Sequence, residues 1–372
     1  MSDPKSLNYY KRMLNIIGSL TGLFSDSNIP YLNYRVTENL FCKSFSAKNL
    51  SRSDVSADAS IKDVGIGIKT FINGNGKTLQ KVAEFNRDNI NFRELPPEEL
   101  IRKVANLRNE RITTTMRIYG LKSMIYHCII RDIGKIQVYE CGMDLIDIDK
   151  IRNIKAGKNT ISFIDSKNEY SFNISKSTLY KRFHTTKVIA SVNVKIIDDP
   201  FEVLEEKFLK VKEVYYKKKV KENPFVILPL YSITAGKKLV YPKSGLNQWN
   251  ASGRKRDHNE IYIPIPKWIH ERFPGFFLPR DKPFNLILPD GNILQAKVCQ
   301  DGSKALMTKH NADLGKWLLR DVLNLKKDKL LTYEKLQEIG LDSVIVERVD
   351  SKTFSIDFRP SGTYEKFIED SR

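Results

Sequence analysis

A chain of 372 residues with 41% hydrophobic and 10% aromatic residues is long enough for two domains and too apolar to be disordered. Sixty-two Lys and Arg against forty-four Asp and Glu leave a net charge of +18, which points to a polyanionic partner, because each neutralised phosphate releases counterions. No apolar run approaches a membrane span, no long basic amphipathic helix carries aromatic anchors, and Cys42, Cys128, Cys141 and Cys299 form no CxxC pair. These features, with a polar start, argue against a membrane partner and a zinc framework and lead us to expect the cytoplasm.

In chain order, Tyr9, Met13, Ile16, Ile17, Leu20 and Leu23 recur at helical spacing and predict a helix over residues 5–24. A second helix is expected from Tyr34 to Phe45, with Glu38 inside it, followed by a polar loop to Asp54. Pro96 and Pro97 open a third helix that carries Leu100, Val104 and Leu107. From Met116 to Phe172 the pattern becomes short strands with turns at 156–159 and 165–168. Residues 177–183 read as a basic, aromatic-bearing turn or short helix, and Val188–Ile197 as a strand. A helix from Pro200 runs into the lysine-rich stretch 215–222, and its end sets an expected boundary between domains 1–222 and 223–372. Beyond Pro224, short strands surround a helix over 311–323, with Leu314, Trp317, Leu318 and Val322 as its apolar stripe, and another over 331–339. That pattern suggests a small β-barrel.

The amino-terminal half is organised around Ser56–Asp88. Val64–Phe71 alternates as a strand, and Asn73–Gly76 is a turn cluster. Thr78 is positioned to cap a helix with Leu79, Val82, Ala83 and Phe85 as the apolar stripe, which places Gln80 and Glu84 together on the other face. An acid on one strand, a lysine on the next and a glutamate on the following helix suit a metal-dependent nuclease. A solvated hairpin with a surface helix fits the same spacing.

The carboxyl-terminal third carries a more specific pattern. Leu288–Lys309 and Gly315–Arg320, with the earlier Ser244–Asn250, Arg254, Arg256 and Asn259–Pro266, resemble the B3-like DNA-binding pseudobarrel of restriction enzymes, the EcoRII amino-terminal type. The resemblance spans about residues 222–360 and implies a barrel gripping double-stranded DNA with two arms. The first arm corresponds to Asn247, Gln248, Trp249, Arg254, Lys255, Arg256 and Asn259, the second to Gln300, Asp301, Lys304, Lys309 and Asn311. The chemistry agrees: Arg pairs bidentately with guanine, Asn and Gln with adenine, and Lys255, Lys304 and Lys309 suit phosphates. Trp317, on an apolar stripe, reads as a core residue.

With that module downstream, Asp58 followed eleven positions later by Lys69 resembles the PD-(D/E)XK nuclease pattern. Gly67 stands where the pattern wants a carboxylate. In some restriction enzymes of this fold that carboxylate moves to the following helix, which would make it Glu84; Glu38 resembles a further acidic residue of the family. The resemblance implies that Asp58 and Glu84 bind magnesium (Mg2+), Lys69 orients or activates water, and Gln80 and Glu38 support the site. Asp63 and Asp54 are competing carboxylates. Other nuclease chemistries fit less well. His184-Thr-Thr-Lys187 is one residue too long for a phospholipase-D-type His-x-Lys, His258-Asn259 lies in the DNA-reading arm, and no GxxxxGK[ST] run is present.

The expected fold is thus α+β or α/β: a restriction-endonuclease-like mixed sheet with helices, then a B3-like pseudobarrel. The resemblance implies a type II restriction enzyme, with a cognate DNA methyltransferase as genetic partner; double-strand cleavage needs two active sites, so a homodimer or transient dimer is expected. A non-catalytic, sequence-specific DNA-binding protein with a degenerate or dimerising amino-terminal domain is the alternative.

Overall fold

A computed structural model describes residues 3–51, 55–74, 77–85, 94–209 and 223–371. Among these, one compact unit takes in 3–109 and 121–209, the other 110–120 and 223–371.

The first unit begins with α1 (Pro4–Ser19), whose amino terminus is capped by the Asp3 carboxylate, and α2 (Tyr34–Phe45), capped by Asn33. There follow β1 (Lys48–Asn49), β2 (Ala59–Ile61), β3 (Val64–Ile72), β4 (Lys77–Glu84) and α3 (Pro97–Tyr119), whose residues from Glu110 on count with the second unit. Next come β5 (Ser123–Asp132), β6 (Lys135–Gly142), β7 (Arg152–Ala156), β8 (Thr160–Ile164), β9 (Glu169–Asn173), β10 (Thr178–His184), β11 (Val188–Asn193) and α4 (Pro200–Leu209).

One sheet has the order β1-β2-β3-β5-β6-β11. β2 and β3 form an antiparallel hairpin with Ala59 opposite Ile66, and β3 runs parallel to β5 with Lys69 opposite Cys128. α1 and α2 cover one face, where Tyr10, Leu14, Leu40 and Phe41 pack with Ile66, Ile68, Ile129 and Val138. The second sheet, β4-β10-β9-β8-β7, packs Phe163, Phe172 and Leu179 against Leu100, Ile101 and Val104 of α3. The Phe183 ring joins the two sheets, with centroids 5.8 Å from Phe71 and 5.1 Å from Tyr126.

The expected helix over residues 78–85 is therefore strand β4, paired with β10, with Gln80 opposite Lys181. The same residues also fit a period of two, and Leu79, placed in the helical stripe, is 37% exposed. Pairing with β10 decides between the two patterns, which short windows leave ambiguous. Residues 177–183 are corrected likewise: a turn or short helix was expected, and Thr178–His184 is the middle strand of that pairing. α3 also runs past Met116 to Tyr119 before the first long strand. The lysine-rich stretch 215–222, Asp54 and part of the 73–76 turn lie outside the described residues.

The second unit contains β12 (Phe225–Pro229), β13 (Ser232–Thr234), β14 (Lys237–Leu239), β15 (Ile263–Pro264), α5 (Lys267–Arg272), β16 (Phe284–Ile287), β17 (Ile293–Cys299) and β18 (Ala305–Thr308). Then α6 (Asp313–Gly315) widens into a π-helical turn (Lys316–Val322), and α7 (Tyr333–Ile339), β19 (Leu341–Arg348), β20 (Thr353–Pro360) and α8 (Thr363–Ser371) complete it. Seven strands make one sheet of order β12-β19-β20-β16-β17-β18-β15, and its end strands β12 and β15 come close, so the sheet nearly closes into a barrel. Leu228, Leu286, Val298, Leu306, Val344, Phe354 and Phe358 are buried in it. Leu314, Trp317, Leu318 and Val322 are buried as their spacing implied, with the Trp317 ring 5.7 Å from Phe358. α8 has no counterpart in the sequence reading, which ended the domain at β20.

Candidate active site and nucleic-acid interface

Asp58 enters β2 under tight backbone control. Its N–H donates to the Ile66 carbonyl at 2.9 Å, its carbonyl accepts from Leu50 N–H at 2.9 Å, and its Oδ2 accepts from Ile68 N–H at 2.7 Å. Extending the Ala59–Ile66 register by one residue places Asp58 opposite Gly67. Glu38, on α2, is 5% exposed and accepts from Arg35 Nη1 at 3.0 Å. Burial pushes the Glu38 carboxyl above its ordinary value, and the charge of Asp58 adds to that, while Arg35, Ser51 and Lys69 act in the opposite sense. Burial likewise raises Asp58, offset by Lys69, the Ile68 N–H and Arg35. Glu38, Asp58, Lys69 and Arg35 thus form one electrostatic cluster at the β2–β3 hairpin.

Glu84 does not join it. It lies at the exposed end of β4, in an ion pair with Lys81 at 2.7 Å. The reassignment of the helix as a strand is the physical reason: Lys81 and Glu84 lie on the exposed side, whereas Gln80 shares the face of buried Lys181. A β-carbon at Gly67 would meet Met143 Cε at 2.6 Å and Tyr126 Cδ1 at 3.2 Å, so apolar side chains fill the place where the nuclease pattern has its second carboxylate. Asp63 sits in the β2–β3 turn, 3.0 Å from Lys122 Nζ, and that partner holds its carboxyl below the usual range.

Among the described residues no three His, Cys, Asp or Glu side chains gather as a metal site. A buried Glu38 raised by the charge of a half-buried Asp58 nonetheless fits a hard divalent ion, which takes one or two protein carboxylates and keeps waters or substrate oxygens for the rest. Glu38 and Asp58 would hold magnesium; when bound, it would polarise a phosphate or acidify a water. Arg35 and Ser51 were missed by motif reasoning. The Arg35-x-x-Glu38 spacing on one helix face was the available signal.

In the barrel, the loop before β15 folds around one buried acid. Glu260, 3% exposed, pairs with Arg254 and, at 3.6 Å, with Arg256 Nε, and accepts from Gln248 Nε2 at 3.4 Å. Arg256 also donates to the Ala251 carbonyl at 2.8 Å. Arg320 clamps the loop from outside, donating to Asn259 Oδ1 at 2.8 Å and to the His258 carbonyl at 2.6 Å. Asn247 is fully buried; its amide donates to the Tyr241 and Leu331 carbonyls and accepts from Leu331 N–H. It is a structural brace and cannot reach a base, which corrects its placement among the readers. Trp249 is half-buried, its ring 5.6 Å from His258.

The residues of the expected second arm fall at opposite ends of β18. Gln300, Asp301 and Lys304 form the β17–β18 turn, with positive φ at Gln300, Gly302 and Ser303, and Asp301 accepts from Arg280 at 3.1 Å. Lys309 and Asn311 follow β18. β15 pairs antiparallel with β18, Ile263 opposite Leu306, so Lys309 and Asn311 share an end of the strand with the 247–260 loop. α6 tightens that junction: a β-carbon on Gly315 would overlap the Asn259 carbonyl. Lys255, Lys304, Lys309 and Asn311 are exposed. Two polar clusters thus flank a strand of about 13 Å.

The second unit is a nearly closed seven-stranded barrel with polar loops at both ends of a short strand. Residues 224–350, about a third of the chain, match the family model of the NgoFVII C-terminal B3-like DNA-binding domain. A search of the curated proteins finds no match to the chain. No described helix is long and apolar enough to cross a membrane.

Proposed function

We propose that the protein is a sequence-specific, double-stranded DNA endonuclease of the type II restriction class, using magnesium. The match of residues 224–350 to a restriction-enzyme DNA-binding domain is the observation that carries this reading. The first unit supports it: a helix with Glu38, a hairpin with Asp58 and Lys69, and a helix leading to a parallel partner strand arrange an acid pair and a lysine on one scaffold. The residues assigned are Asp58 and Glu38 as metal ligands, with Glu38 in the role first given to Glu84, and Lys69 to orient or activate the attacking water. Gln80, on the strand face it shares with Lys181, is a supporting residue.

In the barrel, Gln248, Arg254, Lys255, Arg256, Asn259, Lys309 and Asn311 on one side of β18 and Gln300, Asp301 and Lys304 on the other form the two jaws. Cleavage of both strands needs two sites, so the working form is a homodimer, and a host tolerates it with a cognate methyltransferase. The filled position at Gly67 favours the alternative of a binding protein with a degenerate first unit. Incubation of the full chain with unmethylated DNA and magnesium separates the two: discrete fragments support the endonuclease, a gel shift without cleavage supports the binding protein.

A further inference from the structure

Arg35 stands at the solvent side of buried Glu38. Its side chain is 48% exposed while that of Glu38 is 7% exposed. One nitrogen, Nη1, donates both to Glu38 Oε2 at 3.0 Å and to Ser51 Oγ at 2.8 Å. Ser51 is itself fixed: its hydroxyl and its N–H both donate to Asn49 Oδ1, at 2.7 and 3.0 Å. The guanidinium also lies 5.3 Å from the centre of the Tyr34 ring. A cation is therefore held by fixed groups against an oxygen that a hard metal ion would require.

We propose that Arg35 is the resident counter-ion of the Glu38–Asp58 pair, that a divalent cation displaces it from Glu38, and that Ser51 keeps the released guanidinium beside the site. The inference rests on the metal-site reading above and assigns Arg35 a positioning role within it. Two cations cannot share one carboxylate oxygen without repulsion, so Arg35 and the metal compete. Its presence keeps the buried pair folded without metal and limits metal affinity.

The test is calorimetric titration of the full chain with Mn2+ at fixed pH and without DNA, which reads binding independently of cleavage. Arg35→Gln removes the competitor, and Mn2+ affinity rises about threefold to tenfold. Arg35→Lys keeps a cation within reach of Glu38 and stays near the wild-type value. Circular dichroism confirms folding, and the half-exposed position tolerates both changes. Unchanged or weaker Mn2+ binding by Arg35→Gln overturns the competition. Asp58→Asn and Glu38→Gln serve as controls: each weakens Mn2+ binding at least about tenfold if the acid pair is the metal site. If neither control changes binding, the metal-site reading itself fails, and the role of Arg35 with it.

Discussion

Among the described residues, each unit buries one glutamate and answers it with arginine, and the difference between the two sites is informative. Glu260 in the barrel is ringed by Arg254, Arg256 and Gln248. Glu38 in the first unit has one arginine and a second carboxylate, Asp58, whose charge pushes it up. The first arrangement is saturated and holds a loop in shape. The second sets two carboxylates, Glu38 and Asp58, against Arg35 and Lys69. Burial of an acid does not by itself mark chemistry; the balance of charge around it does.

Restoring the nuclease pattern should break the contrast most severely. Gly67→Asp would place a third acid among Met143 and Tyr126, and overpacking with a buried charge is expected to cost about 3 kcal/mol of stability. Adding Met143→Ala should recover part of the loss in a denaturant-unfolding comparison; full stability of the single variant would show that the space is not filled.

Glu260→Gln leaves Arg254 and Arg256 without their acid. Both can partly turn to water, so a loss of about 2 kcal/mol is expected, with DNA affinity reduced and metal binding unchanged. Gel-shift titration checks the first and Mn2+ titration the second. Equal DNA affinity would mean that the 247–260 loop does not depend on its acid for shape.

A smaller effect concerns pH. Asp342, fully buried on β19, has its carboxyl pushed up to about 6, mainly by burial, although Lys238 lies 3.7 Å away. A folded-state value above the unfolded one means that stability is greatest below pH 4 for this group and is lost as pH rises through about 6. Glu365, held low by Lys238 and Tyr231, works in the opposite direction, so the net change is at most about 2 kcal/mol. Trp249, Trp268 and Trp317 all belong to the barrel unit, so tryptophan fluorescence during unfolding reports it alone. Asp342→Asn should flatten the pH dependence; an unchanged slope would place its origin elsewhere.

The contrast between the units also shows what was readable beforehand. α2, the β2–β3 hairpin and the buried stripe around Trp317 followed from periodicity, since each buries one continuous face. Asp58 and Lys69 were named from a spacing that resembles a nuclease pattern and Glu38 from the same resemblance; in the structure Asp58 and Lys69 both act electrostatically on the Glu38 carboxyl. Residues 78–85 were read as helix because short apolar patterns satisfy periods of both 3.6 and 2, and only the distant β10 resolves them. The same reading placed Glu84 on a helix, and it lies instead at the end of strand β4. The resemblance placed Asn247 in the first DNA-reading arm, but its hydrogen-bond partner, the Leu331 backbone, lies 84 residues away and no local pattern announces it. The split of the second arm depends on the β15–β18 register, which no local pattern encodes.

The most direct test of the central claim compares magnesium-dependent cleavage of unmethylated DNA by Asp58→Asn, Glu38→Gln and Glu84→Gln. The first two should lose at least about 100-fold in rate while still shifting DNA, and Glu84→Gln should stay near wild type. Loss of cleavage in Glu84→Gln, with Glu38→Gln and Asp58→Asn fully active, would contradict the account.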